Sequence, residues 1–81
     1  MEVIIHKKAL KKIEKFPRYV KEDVYQLARL LESFPFVRLD IKNLNGNVYR
    51  IRKGKYRMLF RVEGNNILIF EIEIRGRISY D

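Results

Sequence analysis

At Gly46 the spacing of apolar residues changes from three and four to two, and this switch confines the chain to helices followed by a sheet. Upstream, Val20, Val24, Leu27, Leu31 and Phe34 recur at intervals of four, three, four and three. That is one stripe of a helix, ending at Pro35. Downstream, Val48-Tyr49-Arg50-Ile51-Arg52, Tyr56 through Val62 and Ile67 through Ile74 are separated by Gly54-Lys55 and Gly64-Asn65-Asn66. Alternating segments with turn residues at both breaks define three antiparallel strands in a meander.

The N-terminal part completes the order. Val3-Ile4-Ile5 is a short β-branched run, expected as an interior strand. From Lys7 to Phe16, Leu10 and Ile13 face one way and Lys8, Lys11, Lys12 and Lys15 another, which predicts a short amphipathic helix. Pro17 breaks it and can start the next, because a first-turn proline forfeits no helical hydrogen bond. Glu22 and Asp23 are placed near that start, where the helix dipole favours acids. Phe36 to Asn45 is mixed and reads as a connector. The expected fold is α+β, in the order β-α-α-β-β-β: a helical hairpin packed on one face of a small, mostly antiparallel sheet, the other face open.

With 81 residues and no repeat or linker, one domain spanning 1–81 is expected. The absence of cysteine excludes disulfides and thiolate metal sites. Lys7 and Lys8 interrupt the first apolar run, so neither a signal peptide nor a membrane span is expected, and a cytoplasmic location is. Eighteen Lys and Arg against ten Asp and Glu give a formal charge of +8. Such a surface attracts polyanions, nucleic acid or an acidic protein partner. One histidine and scattered acids supply no metal constellation, and no glycine-rich phosphate loop or Ser-His-Asp set is present. His6 directly follows the first strand and reads as a strand-end or helix-start residue rather than a general base.

Alternation also assigns the sheet faces. Tyr49, Ile51, Tyr56, Met58, Phe60 and Val62 share the face toward the helices; Arg50, Arg52, Arg57, Leu59 and Arg61 share the other. A two-residue II′ turn at Gly54-Lys55 sets Arg52 opposite Arg57 and Arg50 opposite Leu59. On the last strand Leu68, Phe70, Ile72 and Ile74 are expected to face the helices, with Glu71 and Glu73 among the arginines. A three-residue turn would pair Arg57 with Glu73. Opposed like charges destabilise a sheet by up to about 1 kcal/mol. These charges can form a solvated, partly self-neutralised salt-bridge lattice; four arginines against two glutamates also leave an excess of positive charge that an anionic ligand would match.

These residues also carry a family resemblance. Leu44-Asn45-Gly46, Tyr49-Arg50-Ile51-Arg52, Gly54-Lys55-Tyr56-Arg57 and Phe60, after a helical hairpin and before Arg75-Gly76-Arg77-Ile78-Ser79-Tyr80, resemble the core of the RelE/ParE toxin superfamily over essentially the whole chain. Resemblance to RelE implies a ribosome-dependent endoribonuclease (an mRNA interferase) that cleaves mRNA in the A site and inhibits translation. The RNA 2′-hydroxyl attacks the neighbouring phosphate, so no cofactor or metal is implied. Arg57 matches the family arginine expected to stabilise transition-state charge. Arg50 and Arg52 match two basic positions, often lysine in relatives. Arginine stays charged, so these two are expected to bind phosphate rather than to transfer protons.

Tyr80 matches the C-terminal family tyrosine, a base or a stacking group. Either Arg75 or Arg77 takes the place of the tail arginine. Arg61, Lys53, Lys55, Arg75 and Arg77 complete the basic set expected to contact RNA. The resemblance further implies a cognate RelB-type antitoxin that wraps the toxin, and contact with the ribosome and A-site mRNA. Two other functions fit the same fold: a ParE-like toxin that inhibits DNA gyrase, and an inactive relative that only binds RNA or antitoxin.

Overall fold

Alternation of apolar and polar residues along the C-terminal strands sets one sheet face against two helices, and the computed structural model, which describes residues 1–77, builds the rest around that contact. The order is β1 (Glu2–Ile5), α1 (Lys7–Glu14), α2 (Arg18–Leu30), β2 (Asp40–Asn45), β3 (Val48–Lys53), β4 (Tyr56–Glu63) and β5 (Asn66–Ile74). A 3-10 turn at Leu31–Ser33 follows α2. The strands form one sheet in the order β1-β5-β4-β3-β2. β1 runs parallel to β5, and the other pairings are antiparallel. The α+β class with a helical hairpin on one face holds.

The sheet has one strand more than the periodicity shows. Asp40–Asn45, within the segment read as a connector, pairs with β3 and forms an edge. Ile41 is its one side chain packed against the core. The other positions are polar or exposed, and the register slips between Asn43 and Asn45, so no apolar alternation marks the strand. The Val3-Ile4-Ile5 strand, expected in the interior, is the opposite edge. Val3 and Ile5 pack on the core, and Ile4, 41 % exposed, points to the open face.

β5 departs from simple alternation. Glu63 pairs with Asn66 around a two-residue turn, and Arg57 still meets Glu73 because the register shifts by one between Leu59 and Phe60. One extra residue on β5, a β-bulge at Phe70, replaces the three-residue turn. Before the bulge Ile67 and Ile69 face the core; after it Ile72 does. Leu68 and Phe70 therefore leave the helix-side face on which alternation alone would set them.

The helix stripes bury Ala9 and Ile13 on α1, and Val20, Val24, Leu27 and Ala28 on α2, with Leu31 just beyond. Leu10 lies off the α1 stripe, which runs through residues four apart, and is 36 % exposed. His6 caps α1, its Nδ1 accepting the Lys8 N–H at 3.1 Å. Pro17 caps α2, and no acid occupies the first turn of α2; Glu22 and Asp23 fall in the second. Fully buried Phe60 stacks on Tyr49 with ring centroids 5.5 Å apart, and Phe34 meets both edge-on. Truncating Phe60 to alanine would cost about 3–5 kcal/mol, a large part of a small domain's stability.

Tyr56 fastens α2 to the β3–β4 hairpin. Its hydroxyl donates to Asp23 Oδ2 at 2.6 Å, and the ring is buried. Burial, then the Asp23 hydrogen bond, raises its pKa above the ordinary 10.0. A raised acid keeps its full contribution below the unfolded value and loses it as pH climbs beyond. Tyr56→Phe should cost about 1–2 kcal/mol in urea denaturation at neutral pH. It should also remove part of the stability loss that the wild type shows above pH 10; equal alkaline losses in both proteins would contradict this tie.

Candidate anion-binding site on the open sheet face

Gly54 fixes the geometry from which the site is built. Its φ is +59°, and Lys55 has no positive φ, as a II′ turn requires. The two-residue turn makes Lys53 and Tyr56 partners, so Arg52 pairs directly with Arg57. Next to a two-residue turn, this is the closely spaced kind of pair, with Cα atoms about 4.5 Å apart. Arg50 pairs with Leu59. The register expected from turn chemistry is the one observed.

Adding the outer strands gives a row of four charges across the sheet: Asp40, Arg52, Arg57 and Glu73. The acids do not act alike. Asp40 Oδ2 lies 3.1 Å from Arg52 and Oδ1 3.2 Å from Arg50 Nη2. The Arg50 side chain is only 10 % exposed, so its charge needs this counter-ion. No ion pair among the described residues joins Glu73 to Arg57. Arg57 Nε is buried and lacks a hydrogen-bond acceptor. Glu71, expected among the arginines, accepts instead from Lys12 of α1 at 3.2 Å and from the Ile72 N–H at 2.9 Å. Here α1 lies against β5 beyond the end of β1.

Arg52, Arg57, Glu73, Ile74 and Arg75 line an open concavity of about 380 Å³. Three arginines and one glutamate are therefore among the residues that line the hollow. Arg75 is set there by its N–H donating to Lys55 O at 2.8 Å. Arg77 follows Gly76, is exposed, and is not part of the lining. Tyr80 lies outside the described residues.

The remaining basic residues lie elsewhere. Arg61 is four residues along β4 from Arg57, roughly 13 Å away. Its guanidinium stacks over Phe70, 5.3 Å from the ring centroid, in an otherwise apolar row of Val48, Leu68 and Ile4. Its Nε is also buried without an acceptor. Lys53 lines a small helix-side hollow with Asp23, Gln26, Leu27, Gly54 and Tyr56. Lys55 Nζ sits 5.3 Å from the Tyr19 ring centre and 5.7 Å from that of Tyr56. Neither lysine joins the arginines, because odd positions of β3 face the helices and Lys55 folds back from the turn. Asp40 is the site residue that periodicity missed. Its signal is the Asp40-Ile41-Lys42 alternation, too short to stand out beside an unrecognised edge strand.

A helical hairpin on one face of a five-stranded sheet, with an arginine-lined concavity at one end of the open face, defines a small, basic α+β protein. Residues 3–78 match the family described as the ParE toxin of type II toxin–antitoxin system, parDE, and the chain belongs to that family. It is a toxin of the RelE/ParE superfamily. It is similar to the toxin in the archaeal RelE–RelB complex from Pyrococcus horikoshii, at 28% identity and a TM-score of 0.76, covering 94% of this chain and 96% of that one. The RelB–RelE complex from Methanococcus jannaschii matches at 25% identity and 0.70, covering 89% of each chain. The isolated E. coli RelE toxin shares the fold at 16% identity and 0.73, covering 94% of this chain and 85% of that one. No curated protein matches the sequence. No described helix is long and apolar enough to cross a membrane.

Glu71 provides a test of the electrostatics beside the site. The Ile72 N–H, then Lys12, holds its carboxyl below the ordinary value of 4.5, against the opposing effect of burial. A depressed acid contributes stability above its unfolded pKa and loses it as pH falls through the folded one. The stability difference between wild type and Glu71→Gln should be steady near neutrality and should shrink below pH 4.5. A difference independent of pH in acid denaturation would show that the Ile72 and Lys12 contacts do not favour the charged form.

Proposed function

We propose that this toxin is a ribosome-dependent endoribonuclease that cleaves mRNA in the A site. The observation that carries the proposal is the Arg52–Arg57–Arg75 concavity, in which Arg57 has a buried N–H and no carboxylate partner among the described residues. An arginine that lines the hollow without a carboxylate partner suits the charge-assisted hydrogen bonds that a phosphate entering the hollow would accept. In the reaction the RNA 2′-oxygen bonds to phosphorus while the bond to the 5′-oxygen breaks. The 2′ proton passes to a base and the leaving oxygen gains one, yielding a 2′,3′-cyclic phosphate and a 5′-hydroxyl. Arg57 stabilises the crowded phosphorane, and Arg52 and Arg75 hold the phosphate. Arg50, anchored on Asp40, supports Arg52. Arg61 and Arg77 contact flanking RNA, and Tyr80 serves as base or stacking group.

The partners that follow are the ribosome with its A-site mRNA and a cognate antitoxin. The Pyrococcus and Methanococcus toxins are each in complex with RelB. A RelB-type chain with acidic, amphipathic segments suits a surface of +8.

One observation favours a second reading. The family matched over residues 3–78 is that of ParE, which fits inhibition of DNA gyrase by binding, with no RNA chemistry. The two are separated by adding wild type and Arg57→Ala to a reconstituted translation system and mapping cuts by primer extension, with gyrase supercoiling assayed in parallel. A-site cuts that need ribosomes and fall about 100-fold or more in Arg57→Ala are expected. Intact mRNA with active ribosomes, together with blocked supercoiling, would overturn the endoribonuclease and establish the gyrase reading.

A further inference from the structure

Asp40 faces two tasks that a single carboxylate cannot perform independently. It neutralises Arg50, whose side chain is 10 % exposed, and it holds Arg52, whose side chain is 48 % exposed and lines the concavity. Each oxygen is committed to one guanidinium: Oδ1 to Arg50 at 3.2 Å, Oδ2 to Arg52 Nε and Nη2 at 3.1 Å. The contact to Arg52 occupies two donors of the fork, as a phosphate oxygen would. Across the row, Arg57 has no such partner among the described residues, so the cations of the site are graded.

We infer that Asp40 is a positioning residue that fixes the Arg50–Arg52 pair and competes with substrate phosphate for Arg52. The inference rests on the endoribonuclease reading for its effect on rate, but not for its effect on binding. Two opposing consequences follow. Fixing Arg52 holds it in a productive geometry before substrate arrives, which speeds the chemical step. Engaging its fork weakens ground-state binding of RNA, because the incoming phosphate must share or displace the carboxylate. Binding energy is thus withheld from the bound substrate and kept for the more highly charged transition state. A purely structural acid would lower both quantities together or neither.

The test uses Asp40→Asn, which keeps shape and removes charge, and Asp40→Glu, which keeps charge. Binding of a short fluorescein-labelled single-stranded oligoribonucleotide is followed by anisotropy over a salt series, and kcat and KM are measured on programmed ribosomes. Asp40→Asn should bind RNA about two- to fivefold more tightly at low salt. Its plot of log K against log salt should steepen by about 0.7, one extra phosphate contact. Its kcat should fall about tenfold or more without a rise in KM, and Asp40→Glu should restore the wild-type salt slope. A folded Asp40→Asn with unchanged affinity and slope, or with unchanged kcat, overturns the inference.

If Asp40→Asn does not fold, Arg52→Gln and Arg57→Gln decide. Arg57→Gln should lose more affinity and more salt slope, because Arg52 is already engaged; equal losses overturn the inference. Should the wild type cut no RNA, the proposed activity fails, and the binding series alone still decides whether Asp40 competes for Arg52.

Discussion

Two like charges held side by side are the constraint on which the site depends. Arg52 and Arg57 are direct partners across the β3–β4 hairpin, an arrangement that a sheet does not adopt for its own stability. Two features enforce it. The Gly54 turn fixes the register from above, and beneath it Ile51 and Met58 form a fully buried pair, as do Phe60 and Ile69. A slip of one residue would turn every one of these apolar side chains into solvent, a loss far larger than the arginine repulsion. The core thus keeps the cations together, and the outer strands decide how far each is neutralised.

The two faces divide the basic residues by role. On the helix side, Tyr56 bonds Asp23 and Lys55 stacks between Tyr19 and Tyr56, so the Gly-Lys-Tyr part of the hairpin motif ties the turn to α2. The Arg57 that completes the motif points the other way. The open face is itself divided. Its turn-proximal end carries Arg52, Arg57, Arg75 and Glu73, and its far end carries Arg61 over Phe70 beside Leu68 and Ile4. The bulge at Phe70 creates that second half by turning Leu68 and Phe70 away from the core.

Strong periodicity made the meander legible from sequence: where a strand has one buried and one open face, alternation states both the strand and its facing. The Arg52–Arg57 pairing was legible for the same reason, with glycine at the turn position that needs it. β2 was not, since an edge strand with one core contact at Ile41 and a slipped register carries no periodic signal. The β5 bulge was equally hidden, because apolar residues on both sides of Phe70 make two registers look alike. Losing β2 concealed Asp40 and with it the neutralisation of Arg50 and Arg52. Lys53 and Lys55 show the converse: basic residues adjacent in sequence to the arginines, directed to the other side by the parity of the strand and the turn.

In the proposed reaction the arginine concavity promotes attack by an RNA 2′-oxygen on the adjacent phosphate. The most direct test replaces the nucleotide at the mapped A-site cut with its 2′-deoxy form, leaving the rest of the mRNA unchanged, and repeats the cleavage on programmed ribosomes. The cut is expected to disappear at that bond, and the unmodified message to yield a 2′,3′-cyclic phosphate and a 5′-hydroxyl. Cleavage that persists at the deoxy position would contradict the proposal, because a nucleophile other than the substrate's own hydroxyl would then be at work.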